Sequence, residues 1–182
     1  AKRHTMKELL GGINYTLRLP TLKLGLSAVT YIYDKHNGRK IADYNRYQIY
    51  DGLWGNIGLD FYGFWNRFRY FGEVSSDAHF APALIAGVIW GPKYEFEMSL
   101  TCRYYDKSYI AAHSGAYSSL SSTSNQSGVT CSIKWIAANN LTINGNADCV
   151  RYPWSRFKIS GASYSIKARL SADYEKQNNI SE

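Results

Sequence analysis

The side chains that could do chemistry are few and scattered. The four histidines, His4, His36, His79 and His113, stand far apart, and no two share a metal-ligand spacing. The cysteines Cys102, Cys131 and Cys149 are odd in number and form no Cys-x-x-Cys pair, so neither a disulfide framework nor a zinc site is expected. No nucleophile elbow, phosphate-binding loop or dinucleotide fingerprint occurs. Seven serines crowd the fourteen residues from Ser114 to Ser127, but no acid–base partner stands near them, and this composition reads as an exposed flexible loop. The Asn-x-Ser/Thr triplets at Asn14, Asn125, Asn140 and Asn179 read as strand and turn chemistry. The expectation is a chain that is not an enzyme, with no catalytic residue, metal or cofactor.

What remains is a set of charges with a rule to its spacing. From Tyr94 to Tyr104, the residues Tyr94, Phe96, Met98, Leu100, Cys102 and Tyr104 alternate with Glu95, Glu97, Ser99, Thr101 and Arg103. Only a strand separates two such sets, because its successive side chains point to opposite faces. The pattern recurs in seven further segments. Ile13 to Leu19, Leu22 to Leu26, Leu53 to Phe61, Phe68 to Val74, Val129 to Trp135, Leu141 to Cys149 and Tyr164 to Tyr174 each put apolar residues on one side. On the other side fall Arg67, Arg69, Glu73, Glu95, Glu97, Arg103, Lys134, Asp148, Lys167 and Arg169, together with Arg18, Lys23, Asp60 and Asp173. The cysteines share the apolar side, as small hydrophobic fillers.

These elements suit a particular environment. The chain has 16 Tyr, 7 Phe and 5 Trp but only 19% charged residues, against about a quarter in soluble domains. The longest uncharged apolar run, Phe80 to Trp90, falls short of the about 20 residues a membrane-spanning helix needs. It is apolar on both faces and contains Pro82 and Gly87, as for a strand that is bent or packed on an internal element. The strands run to about 9–12 residues, near the 9–11 that cross a bilayer at about 45° tilt. Short turns at Pro20-Thr21, Trp65-Asn66, Gly91-Pro92-Lys93 and Ala138-Asn139-Asn140 alternate with longer links at 34–51, 76–79, 104–127 and 152–161. That is the wiring of an up-and-down transmembrane barrel. Aromatics gather at strand ends. Trp65, Trp90, Tyr94 and Trp135 stand near the short turns, with Trp54 and Trp154 near the longer links. They are expected to mark the two membrane interfaces.

A charge facing lipid near the midplane costs about 2–4 kcal/mol, so the charged face must line a wet lumen, meet a plug or pair across strands. The net charge of +7 is spread along the chain, with its densest cluster at Ala1 to Lys7. A nucleic-acid partner is therefore not expected for this segment. Partners are expected to be the lipid bilayer and either the rest of the same chain or a plug domain.

Three stretches carry a family resemblance: Arg69 to Val74 (RYFGEV), Met98 to Tyr109 (MSLTCRYYDKSY) with the Tyr/Ser-rich loop after it, and Arg151 to Ser160 (RYPWSRFKIS). From about Tyr44 to Lys176 the chain resembles the barrel region of the large helix-hairpin-helix-domain outer-membrane proteins of Bacteroidota-type bacteria. The resemblance implies a bacterial outer-membrane barrel and brings no catalytic residues. The DNA-binding-type module that precedes the barrel in that family has no counterpart in residues 1–12.

The reading is thus all-β: a partial antiparallel up-and-down transmembrane β-barrel of about nine strands, where complete single-chain bacterial barrels have even numbers. Residues 1–11 are expected as a lead-in, 12–176 as the barrel segment and 177–182 as a polar end. The function would be a pore, a plugged transporter or a surface scaffold. Two alternatives stay open: a soluble β-barrel or sandwich that binds a small ligand, and a DNA-handling outer-membrane component.

Overall fold

The computed structural model describes residues 7–35, 40–49 and 52–175. Nine strands follow one another: β1 (Glu8–Arg18), β2 (Leu22–Tyr33), β3 (Gly52–Trp65), β4 (Phe68–Asp77), β5 (Pro82–Lys93), β6 (Phe96–Tyr105), β7 (Gln126–Ala138), β8 (Leu141–Tyr152) and β9 (Ser163–Tyr174). Each pairs antiparallel with the next in a single sheet, in the order of the sequence. A 3-10 turn at Asp43–Asn45 is the only helical segment among the described residues. The fold is an all-β, up-and-down meander, and the sheet is open: β1 and β9 are its edges.

Connections alternate as the sequence predicts. At one end of the sheet the links are 19–21, Asn66-Arg67, Tyr94-Glu95 and Asn139-Asn140. At the other end they are 34–51, 78–81, 106–125 and 153–162. Asn66 takes a φ of 53°, a left-handed conformation that Asn tolerates better than most residues and that a two-residue hairpin needs.

Three boundaries differ from the sequence expectation. Strand β1 begins at Glu8, inside the stretch 1–11 expected as a lead-in. Strand β5 runs through Gly91-Pro92-Lys93, with a register shift between Trp90 and Lys93, and turns only at Tyr94-Glu95. A bulge accommodates Pro92, whose nitrogen has no proton for the ladder. Tyr94 and Glu95 are therefore turn residues, not strand residues, and so is Arg67.

The register sorts every strand residue onto one of two faces. One continuous row reads Leu17, Leu24, Phe61, Gly72, Ala86, Cys102, Val129, Cys149, Ile166. The neighbouring row on the opposite face reads Thr16, Gly25, Asp60, Glu73, Ile85, Arg103, Gly128, Val150, Ser165. The first face is apolar and uncovered: Leu59 is 62% exposed and Ile166 79%. Its only strand charges are Lys93 and Arg151, near the two strand ends. The second face carries every other strand charge, and it is the one the chain covers with its own loop.

Candidate functional site

That loop, residues 106–125, is folded as a strap over the polar face. Its two ends are tied together where the Asn125 N–H donates to the Asp106 carbonyl at 3.0 Å. Asp106 also fixes the first turn of the strap. Its Oδ1 accepts the Ser108 N–H at 2.8 Å and the Ser108 hydroxyl, and its Oδ2 accepts the Tyr104 hydroxyl at 3.3 Å. Partial burial would raise the Asp106 carboxyl, but these donors outweigh it and hold the group below its ordinary value.

The strap then crosses the strands in reverse order. The Tyr109 hydroxyl meets Ser75 Oγ of β4 at 2.9 Å. The Ile110 N–H donates to Asp77 Oδ2 at 3.1 Å, and the Ile110 carbonyl accepts from Asn56 Nδ2 of β3 at 2.8 Å. The Ala112 N–H reaches the Tyr31 hydroxyl of β2, and His113 Nε2 stands 2.6 Å from Glu8 Oε1 of β1. Asp77 also caps the 78–81 link, its Oδ1 accepting the N–H groups of His79 and Ala81. Ala81, Ala83, Tyr105 and Tyr109 form a small buried cluster beneath the strap, with Ala111 and Ala116 packed against it. The apolar inner side of β5 thus packs on an internal element. Burial raises the Tyr109 hydroxyl above its ordinary value.

On the return leg the strap is pinned to a charged cluster. Arg103 of β6 is 2% exposed, and its Nη2 lies 2.8 Å from Asp148 Oδ1 of β8. Thr130 of β7 sits between them, accepting from Arg103 Nη1 at 2.8 Å and donating to Asp148 Oδ1 at 2.7 Å. Ser119 of the strap repeats the arrangement, accepting from Nη2 at 2.7 Å and donating to Asp148 Oδ2 at 2.7 Å. Gln126, fully buried, accepts from Arg103 Nε and from the Ser119 N–H, and its amide donates to Ser118 Oγ. The Arg103 guanidinium lies 4.8 Å from the Tyr117 ring centre. Gly128 makes room for it: a Cβ there would stand 3.1 Å from Arg103 Cζ and 2.9 Å from the Cys149 carbonyl.

The outward leg leaves space beneath it. A cavity of about 350 Å³ lies between the strap and β2–β4, lined by Ser27, Tyr31, Asn56, Glu73, Tyr109 and His113 among others. Glu73 is paired in register with Asp60, so two carboxylates oppose each other on adjacent strands. Gly25, opposite Asp60, makes that possible: a Cβ there would fall 2.1 Å from Asp60 Oδ1. Among the described residues neither carboxylate has an ion-pair partner.

The ten charges singled out from sequence do not form one site. Arg103 and Asp148 make the buried cluster. Arg69 pairs with Glu97 over an exposed part of the polar face, and Lys134 is the register partner of Glu97. Lys167 and Arg169 lie on the polar side of the edge strand β9, opposite Asp148 and Asn146. Arg67 and Glu95 occupy the short turns.

The aromatics divide too. Trp65, Phe68, Trp90 and Phe96 form a row of ring contacts on the apolar face at the short-turn end, with neighbouring ring centres 6.0–6.5 Å apart; the first two contacts are stacked and Trp90 meets Phe96 edge to face. Trp135 extends it as the register partner of Phe96, and Tyr94 protrudes from the adjoining turn, 80% exposed. At the other end the expected arrangement is corrected. Trp54 pairs with Tyr31 on the polar face, with its ring centre 4.4 Å from that of His79. Tyr31, Tyr105 and Tyr152 are buried on the same face. Trp154 lies within the loops: its Nε1 donates to the Asp43 carbonyl at 2.8 Å and its ring faces Lys107. Sequence reasoning missed Thr130, Ser119, Asp77 and Asn56. They are ordinary polar residues, and their roles arise from register and from the path of the strap.

No family model, curated protein or solved structure matches this chain in comparisons with known proteins.

Proposed function

We propose that this chain is part of the wall of a bacterial outer-membrane β-barrel, and that the strap 106–125 narrows its lumen. The observation that carries this is the inversion of the two faces. A soluble sheet covers its apolar face and wets its polar one. Here the polar face lies under the strap, while Leu9, Ile13, Leu59, Ile133, Ile166 and Leu170 stand uncovered on the other. Lipid is a solvent for that second face. From Leu53 to Trp65, at about 3.4 Å per residue and about 45° tilt, β3 rises about 29 Å, which suits a hydrocarbon core of about 30 Å. The aromatic row from Trp65 to Trp135 supplies an interfacial girdle at the short-turn end. In a bilayer no strand edge stays unpaired, so β1 and β9 would be closed by further strands. The soluble ligand-binding alternative calls for a continuous apolar interior, whereas the apolar cluster around Ala83 and Tyr105 under the strap gives way on both sides to polar groups, Arg103 and Asp148 on one and Asn56 and Glu73 on the other.

The test uses the full protein that contains this chain. It should require detergent, run faster on a gel before heating than after, and conduct ions in planar bilayers with a small unit conductance. Deleting residues 110–122 should enlarge that conductance. A monodisperse, detergent-free monomer would sink the proposal.

A further inference from the structure

The apolar face carries one strand charge at its long-loop end, and no carboxylate among the described residues pairs with it. Arg151 of β8 stands in the outward row Tyr104, Ser127, Arg151, Tyr164. It is exposed and forms no ion pair among the described residues. Its one recorded partner is the Tyr164 ring, 6.0 Å away. At the Tyr104 end of the row, two strands away, the Asp106 carboxylate is engaged by the Tyr104 hydroxyl. The row therefore offers a guanidinium flanked by hydroxyls at the level where the apolar band ends.

Below it lies a furrow. A groove of about 380 Å³ is bounded by Val129, Cys149, Arg151, Tyr164 and Ile166. On the same face β8 continues with Ala147 and Gly145, and β9 with Ala168. A Cβ at Gly145 would meet only Leu170, at 3.8 Å, so the furrow extends along small residues toward the middle of the band. A cation at the top of an apolar channel that runs along the strand fits a molecule with an anionic head and an aliphatic tail.

From this we infer that the β7–β9 surface binds a phospholipid of net negative charge, with the phosphate at Arg151 and one acyl chain in the furrow. The inference rests on the membrane reading above. Charge complementarity selects the occupant: a zwitterionic lipid brings its own cation and leaves Arg151 with less to gain. An ammonium head would be repelled. The guanidinium is suited to phosphate because its planar fork can donate two parallel hydrogen bonds.

The experiment is native mass spectrometry of the full detergent-purified protein, titrated with phosphatidylglycerol or with phosphatidylcholine of matched chains. Wild type should bind the anionic lipid about fivefold more tightly, the preference one arginine near a membrane surface provides. Arg151→Gln should abolish that preference, and Arg151→Lys should keep part of it. Val129→Trp, which fills the furrow and leaves the cation, should weaken both lipids alike. Millimolar inorganic phosphate should not displace the bound lipid. Equal binding of the two lipids by wild type, an unchanged preference in Arg151→Gln, or full displacement by phosphate would each overturn the inference. A protein that needs no detergent would defeat the membrane reading itself. A detergent-dependent barrel without lipid preference would defeat only this site.

Discussion

The two faces of the sheet are built from the same nine strands and obey opposite rules. The polar face holds Arg103, Asp148, Thr130 and Gln126, buried yet each with its donors and acceptors met. The apolar face holds leucines, isoleucines and tryptophans with nothing over them. Burying polar groups is tolerable when every one is bonded. A broad apolar face marks a surface that lipid, a ligand or a partner protein covers. Side-chain burial within the chain is thus a property of the polar side, and on the membrane reading lipid would complete the other.

The comparison breaks most easily at Asp148. Replacing it with alanine strands a guanidinium that is 2% exposed, and loss of one partner of a buried ion pair costs about 3–5 kcal/mol. Asp148→Ala should therefore release the return leg of the strap, seen as new protease cleavage between residues 110 and 122 and a lower unfolding temperature of the fast gel band. The double variant Arg103→Met/Asp148→Leu should recover most of that stability, because no charge is left unpaired. A strap equally protected in Asp148→Ala would mean that the cluster does not hold it.

Next in size is a matched pair of substitutions one residue apart. Cys131 faces the apolar side near mid-strand, and Ser132 faces the polar side. Cys131→Arg should cost about 2–4 kcal/mol in a lipid-vesicle unfolding titration, the penalty for a cation at the midplane. Ser132→Arg should stay within about 0.5 kcal/mol, as on a solvated surface. Equal costs would remove the distinction between the faces.

The distinction was legible in the sequence because it needs only parity. The alternation from Phe96 to Tyr104 separates Arg103 from Cys102 without any knowledge of neighbours. Trp54 shows what happens when parity is set aside. It shares its face with Asn56 and Asp60, yet its place at a strand end suggested an interface, and the structure puts it beside Tyr31 and His79. The strap was not legible. Its serines read as a flexible loop, because the groups that pin it are spread from Glu8 to Asp148 and meet it only after the strands are in register. One local signal existed. A strand apolar on both faces, Pro82–Lys93, needs cover on its inner side, and Tyr105, Tyr109 and Ala116 supply it. The bulge at Pro92 shifted a turn by about three residues, which moved Glu95 out of the strand; periodicity alone does not resolve such a shift.

A smaller effect sharpens the comparison within the strap itself. Tyr109→Phe removes the hydroxyl that meets Ser75 and keeps the ring in its cluster with Ala81 and Ala83. The loss should be about 1 kcal/mol, the net worth of one hydrogen bond, and hydrogen exchange should rise at residues 108–112 but not at 117–120. Uniform acceleration along the strap would show that its two legs are one cooperative unit.

The smallest effect is one of pH. Hydrogen bonds from Ser108 and Tyr104 hold the Asp106 carboxyl below its ordinary value of 3.8 despite partial burial. A group depressed in the folded state stabilises that state above its unfolded value, and the contribution fades as pH falls through the folded one. Asp106 should therefore help fix the start of the strap at neutral pH and lose that role on acidification below its ordinary value of 3.8. Asp106→Asn should flatten the pH dependence of protease protection at residues 107–112 over that window. The Arg103–Asp148 leg reports separately through residues 117–120, so a flattening confined to the first leg isolates Asp106. If the variant keeps the full acid response of the first leg, Asp106 is not its source.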